Sequence, residues 1–346
     1  VNRITINNDI RQITSSFDFD IEYKLSESID LKSHDFVEFY FWLNNQKYQI
    51  MCGYIEDFIK ETGPNTLKFQ ANGRDFIGQL FSLPFFQANP FKQTNLTSFA
   101  SYCISDGYLP EYLKIRGLTK TIVNRGAYSG PLVIPELTDS KRAPVLQQTA
   151  DEIFNVVFQN RFGQLVIWGR DSLDDLDSNL ILKDIGDTNI MHFTLRENYS
   201  KVYSEVKVLY TGGEANVDYA NSPSKPVANL EPRALQIYQP EIRTFQMSTL
   251  ITTSGQQTLQ YKKENLAASI LRRSNQNLAQ VVIKTNNPYY LGAGGIKIPW
   301  EVNQLWQINS VKHKLNEKMR LVGIGYSQDA NGLSVELCFI GKDTLV

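Results

Sequence analysis

Near the start of the chain Phe17, Phe19, Ile21 and Tyr23 alternate with Asp18, Asp20 and Glu22. A period of two sends the apolar side chains to one face and the carboxylates to the other, as a half-buried strand requires and a helix cannot provide. The pattern returns late in the chain. Val202, Ser204, Val206, Val208 and Tyr210 alternate with Lys201, Tyr203, Glu205, Lys207 and Leu209, and Leu333, Val335, Leu337 and Phe339 alternate with Ser334 and Glu336. Whatever the fold, strands must build both ends of it.

Between Phe17 and Ala71 there is no room for long helices. Phe36 to Leu43 is apolar at nearly every position and reads as a strand covered on both faces. Tyr48 to Ile59 is a further run in which Gly53 marks a bulge or bend. Gly63-Pro64-Asn65 signals a turn, after which Leu67, Phe69 and Ala71 alternate with Lys68 and Gln70. Such a series predicts a small sandwich or barrel. The middle differs. Asn95 to Ser105 has helical spacing, with Leu96, Phe99, Ala100 and Cys103 on one side. Thr149 and Glu152 form a capping box, which predicts a helix starting there with Ile153, Val156 and Val157 inward and Phe162-Gly163 at its end. Leu165 to Trp168 and Leu180 to Leu182 read as short strands, and Pro131 and Pro135 mark a Pro-rich stretch. After the strand ending at Tyr210, a polar loop runs from Thr211 to about Arg233. Lys262 to Asn277 predicts a helix with Leu266, Ala267, Ile270 and Leu271 as its stripe. Val281 to Lys284, Leu305 to Ile308, Leu321 to Tyr326 and Leu333 to Ile340 predict four strands, the last two joined near Asn331-Gly332.

His34, His192 and His313 are isolated, with no His or Cys at ligand spacing, and read as surface or satisfied core histidines. Asp171, Asp174, Asp175 and Asp177 form an acidic loop whose spacing is not that of a calcium-binding loop; it reads as a solvated turn. Gly292-Ala293-Gly294-Gly295 lacks the Lys-Ser/Thr of a phosphate loop and reads as a tight turn between strands. No Gly-x-Ser-x-Gly nucleophile motif occurs, and no pair of carboxylates stands out for glycoside hydrolysis. The sequence assigns no catalytic, cofactor-binding or metal-binding residue and no cofactor. Its net charge of −1 argues against a surface built to grip phosphates. Cys52, Cys103 and Cys338 are odd in number and far apart, so free thiols and folding in a reducing cytoplasm are expected. No apolar run reaches membrane-spanning length, and Val1 to Asp9 has no export-signal pattern.

Taken in order, several features resemble the baseplate hub proteins of contractile-tailed phages and prophages, the group of the Mu-like tail protein and late control protein D. The carriers are Gly73-Arg74-Asp75 entering an apolar run, and the Thr149 helix followed by Gly163-Gln164-Leu165-Val166-Ile167. They continue with Tyr199-Ser200-Lys201-Val202-Tyr203-Ser204-Glu205-Val206, and with the helix from Glu264 to Gln276 and the strand after it. Trp300 to Trp306 and a closing hairpin ending near Gly341-Lys342-Asp343 complete the set. The chain departs from the Mu-like pattern in its richness in Asn and aromatic residues, and its N-terminal strand lacks the usual Gly-containing turn.

The resemblance implies a mainly β fold with an α+β insert: a first β-barrel domain over 1–72, a mixed α/β insert over 73–198 (units 73–135 and 136–198), and a second β-barrel domain over 199–346 with a helix at about 262–277. It implies a non-enzymatic trimeric hub ring in the tail baseplate of the virion, assembled in the cytoplasm of the host bacterium. The implied partners are a homotrimer, a tail spike protein, a tail tube or tube-initiator protein and baseplate wedge proteins, with DNA passing transiently through the channel. A glycan-active or carbohydrate-binding tail module is the alternative, since the aromatic content would support sugar stacking.

Overall fold

The alternating run near the start forms β2 (Ser16–Lys24), antiparallel to β1 (Arg3–Asp9) on one side. A computed structural model describes residues 2–24, 31–43, 45–85, 94–105, 117, 119–125, 140–152, 155–169, 183–186, 190–197, 203–210, 213–218, 241–247, 279–291 and 295–341. Phe17 and Phe19 are buried and Asp18 and Asp20 take the opposite face. Next come β3 (Phe36–Leu43), β4 (Gln46–Thr62) and β5 (Thr66–Asp75), and the antiparallel order is β1-β2-β5-β4-β3. Leu67, Phe69 and Ala71 are buried, as their alternation predicts. The reading of β3 as covered on both faces is corrected. Phe39 is buried, but Phe36 and Trp42 on the other face are 52% and 69% exposed, so that face lies open to solvent. Gly53 does not itself form the bulge. The register shifts lie on either side of it, and Gly53 lies where the two backbones run close together: a Cβ there would stand 2.2 Å from the Arg74 carbonyl oxygen.

The insert begins with a 3₁₀ turn (Phe76–Phe81) and continues with α1 (Leu96–Cys103), β6 (Thr119–Arg125), α2 (Arg142–Glu152), β7 (Asn155–Gln159) and β8 (Gln164–Gly169). α1 fulfils the sequence reading: the Asn95 side-chain oxygen accepts the Ser98 N–H at 2.8 Å, and Leu96, Phe99, Ala100 and Cys103 are buried. α2 corrects it. Thr149 sits in the closing part of the helix, not at its start, and Val156 and Val157 belong to β7. The true start carries Pro144 in the first turn, where an absent N–H removes no hydrogen bond. Every residue of β7 is buried, and such a run has no period to separate strand from helix. Phe162-Gly163 is the β7–β8 turn rather than a helix end, with Gly163 at φ +74° and the Asn160 side-chain oxygen accepting the Phe162 and Gln164 N–H groups. Ile153 and Leu180 to Leu182 lie outside the described residues. The sheet β6-β8-β7 has two buried faces. Val156, Phe158, Val166 and Trp168 join the core of the long sheet, while Val157, Leu165 and Ile167 pack with α1 and α2.

β9 (Lys183–Gly186) and β10 (His192–Glu197) follow. β11 (Tyr203–Tyr210), β12 (Gly213–Asp218) and β13 (Glu241–Met247) form a separate sheet of order β12-β11-β13, so part of the expected Thr211–Arg233 loop is strand. The remainder of that loop, and the helix expected over 262–277, lie outside the described residues. Then come β14 (Ala279–Thr285), β15 (Tyr289–Leu291), β16 (Lys297–Pro299), β17 (Leu305–Ser310), β18 (Leu315–Asp329) and β19 (Gly332–Gly341). The β18–β19 hairpin turns at the expected place, with Gly332 at φ +111°. Val335, Leu337 and Phe339 are buried at 1% or less, beside a cluster of Tyr290, Trp300 and Trp306.

The late strands repeat the early ones. Their antiparallel order is β10-β14-β19-β18-β17, which in order along the chain is first-second-fifth-fourth-third, the same as β1-β2-β5-β4-β3. β1 also pairs with β18, so both units lie in one continuous 11-stranded sheet, with β9 added parallel to β17. By its described residues the chain is mainly β with few helices. Among the described residues the sheet path is open, ending at β10 and β3.

Candidate functional site

With no catalytic constellation in the sequence, the features that bear on function are the joint between the two units and the strand edges they leave open. β18 is long because it serves two partners in turn. Leu315–Arg320 pairs with β17; the register then shifts between Leu321 and Gly323, and Gly323–Gln328 pairs with β1. The extra residue, Val322, is a bulge, and a bulge bends a strand and re-aims its edge. β4 has the same plan. Gln46–Tyr54 pairs with β3, the register shifts between Ile55 and Asp57 around Glu56, and Asp57–Thr62 continues along β5. On the other side of Asp57–Thr62 no ladder exists among the described residues, and neither does one on the outer side of β10.

The correspondence is residue by residue. In the first unit Ile55 faces Gly73 before the bulge, and Asp57 to Thr62 face Asn72 to Leu67 after it. In the second, Leu321 faces Phe339 before the bulge, and Gly323 to Gln328 face Cys338 to Leu333 after it. Ala71 pairs with Phe19 as Leu337 pairs with Ile283, and Phe19 pairs with Ile4 as Ile283 pairs with Phe193. The resemblance implied a barrel domain at each end, but alternation in the sequence does not show the matching of residues, because side chains differ at almost every matched position; only the ladders reveal it.

Where the first unit meets the insert, a buried polar junction holds them together. Asp75 is 1% exposed; its carboxylate accepts the Ser15 N–H and the Thr14 hydroxyl, both at 2.7 Å, and the Gly78 N–H at 3.2 Å. Burial pushes its pKa up to about 6, against the lowering effect of those hydrogen bonds. Gln159 of β7 accepts the Phe76 N–H and donates to the Cys52 carbonyl oxygen, at 2.7 and 2.9 Å. Arg74 forms a paired contact with Glu56, which also accepts the Tyr54 hydroxyl. Burial raises the Glu56 pKa, but the Arg74 and Tyr54 hydrogen bonds outweigh it and leave the carboxyl below its usual range. Arg142, buried at 1%, donates to the Cys103 and Ser105 carbonyl oxygens at the end of α1, each at 2.9 Å, where a cation suits the helix dipole. The Gly73-Arg74-Asp75 run was singled out in the sequence; Arg142 and Gln159 carried no signal there, since their partners are distant backbone atoms.

The other sequence candidates are scattered. His34 is an exposed turn residue at φ +72°, His192 is exposed, and His313 stacks on Phe193 at 4.2 Å. Asp171, Asp174, Asp175 and Asp177 lie outside the described residues, as do residues 292–294. Gly295, at φ +76°, stands between the antiparallel strands β15 and β16, as a turn glycine does. Cys52 and Cys103 are buried free thiols, and burial pushes Cys52 up to about 12. Among the described residues no group of three or more His, Cys, Asp or Glu is arranged to hold a metal ion, and no helix is long and apolar enough to cross a membrane. An open cleft of about 350 Å³ crosses the polar face of β1, β2, β5 and β4, lined by Arg3, Asp18, Asp20, Asp57, Ile59 and Asn72 among others. Its carboxylates are engaged structurally: Asp18 and Asp20 face Arg3, and Asp57 accepts the Phe58 N–H and the Asn72 amide.

No family model matches the chain, and no curated protein matches it in sequence. Its fold is nevertheless that of prophage tail proteins. The tail protein from Neisseria meningitidis MC58 superposes with a TM-score of 0.69 at 14% identity, over 99% of this chain and 93% of that one. The 43 kDa tail protein of prophage MuSo2 from Shewanella oneidensis gives 0.63 at 15% identity, over 99% and 94%. The E. coli c3393 protein, a component of the type VI secretion system with structural similarity to T4 bacteriophage tail proteins gp27 and gp5, gives 0.53 at 9% identity, over 99% and 73%.

Proposed function

We propose that this chain is a structural, non-catalytic tail protein: the hub of a phage or prophage baseplate, in which three copies close into a ring around a DNA channel. The observation that carries the reading is the repetition of one five-stranded connectivity, bulge included, within a single continuous sheet. Two equivalent units per chain let three chains present six similar surfaces, so a three-fold spike can meet a six-fold tube without any chemistry. The likeness in fold to prophage tail proteins supports it.

In this reading each unit, about 1–72 and 199–346 with β10 added to the second, belongs to a barrel-like wall completed by its neighbours. The insert over 73–198 and the segment 211–233 face the spike, tube or wedge proteins. The polar face of the first unit carries Asp18, Asp20, Glu22, Asp57 and Glu61 against Arg3 and Lys68. Such a face does not hold phosphates, which suits a channel through which DNA slides. The protein then resides in the virion tail, having assembled in the bacterial cytoplasm. Light scattering on the purified protein, with images of the particles, tests the proposal. A mass near three chains and a ring with a central hole are expected. A single-chain mass, or release of soluble sugars from purified cell wall, would count against it.

A further inference from the structure

We infer that the ring closes through one specific ladder: β10 of each copy pairs antiparallel with the Asp57–Thr62 half of β4 in the next. The inference rests on the ring reading above and names the strands that make it.

The template lies inside the chain. β1 is the first strand of the first unit, and its outer side pairs with the half of β18 that follows the Val322 bulge. β10 is the matching first strand of the second unit, and Asp57–Thr62 is the matching half of β4 after the Glu56 bulge. Both edges are unpaired among the described residues, so each presents the kind of edge that the other unit has already filled. The register transfers directly. Ile4 corresponds to Phe193, through their partners Phe19 and Ile283; Gln328 corresponds to Thr62, through Leu333 and Leu67. The observed pairs Ile4–Gln328, Ile6–Tyr326 and Asn7–Gly325 therefore become Phe193–Thr62, Leu195–Lys60 and Arg196–Ile59 between copies.

The side chains fit this register. Leu195 and Ile59 are 44% and 49% exposed, and pairing of the two strands would cover part of each. Arg196 would stand opposite Ile59 with the exposed Asp57 and Glu61 as diagonal neighbours on the same face, an attractive set. Leu195 would meet the stem of Lys60, whose ammonium lies 5.7 Å from the Phe69 ring centre. An edge left open recruits strands indiscriminately; a matched partner removes the hazard.

Paired cysteines test the ladder. Facing residues of an antiparallel pair have Cβ atoms about 4.5–5.5 Å apart, near disulfide reach. Because facing pairs alternate between two spacings, both Arg196→Cys with Ile59→Cys and Leu195→Cys with Lys60→Cys are made. Each single variant serves as a control for the native thiols. Val311→Cys with Ile59→Cys is the mismatched control, since Val311 is 84% exposed in the turn after β17. Mild oxidation is expected to give a covalent three-chain species from at least one matched pair, absent from every control. A mass near three chains with no matched link overturns the ladder and leaves the ring. A single-chain mass with no link overturns both. A matched link in an assembly of another size supports the ladder and overturns the three-copy ring. Arg196→Glu is expected to weaken association several-fold, and Asp57→Arg to restore it; equal association by all three proteins would overturn the assigned register.

Discussion

Asp75 shows how much a single buried group can report. Its carboxyl titrates near about 6 in the folded chain, against about 3.9 when unfolded, so between those values the native state holds the extra proton. The stability this group contributes is full below about pH 4 and is lost as pH rises through about 6. Asp75→Asn removes that titration. Wild-type stability relative to the variant should fall by roughly 1–3 kcal/mol between pH 4 and pH 7, measured by urea unfolding at each pH; a constant difference would show that Asp75 is not the group responsible. Asp75→Ala strands two backbone N–H groups and a hydroxyl in the interior, and should cost about 2–3 kcal/mol. Gly53 makes a steric statement of the same sharpness. Any side chain there must displace the Arg74 carbonyl, so Gly53→Ala should cost about 1–3 kcal/mol in the same assay, and a neutral outcome would mean that β4 and β5 separate easily.

Among the elements, β3 separates what its residues prefer from where they stand. Eight residues of which seven are apolar ask for burial on both sides, and the fold offers it on one. Phe39→Ala should therefore cost about 3–5 kcal/mol, whereas Trp42→Ser, on the open face, should change the stability of the isolated chain by about 0.5 kcal/mol or less. Comparable losses from both, in thermal or urea unfolding, would mean that the outer face is covered in solution. α2 failed in the sequence for a related reason. A capping-box pattern at Thr149 and an apolar run after it looked like a beginning, while the actual start has Pro144 in its first turn and a buried arginine whose partners are carbonyls of another helix. The turns, by contrast, were legible. Gly63-Pro64-Asn65 and Asn331-Gly332 are local matters of backbone geometry, and local sequence states them.

The whole molecule depends on β1, which joins the units by pairing with β2 on one side and β18 on the other. Removing residues 1–9 should expose two long edges at once and convert a defined species into aggregates, visible as growth in scattered light; a variant that stays monodisperse would show that the units do not need the joint. The inward faces of β2, β5 and β19, the tight turns and the helix α1 were written in the chain, because periodicity and turn chemistry act over a few residues. Which strand would lie at an edge, that Asp75 and Arg142 would be buried among distant backbone groups, and that two unlike stretches would share one connectivity were decided only in three dimensions. Those properties belong to hydrogen-bond ladders and contacts between residues far apart in the chain, which leave no periodic mark on it.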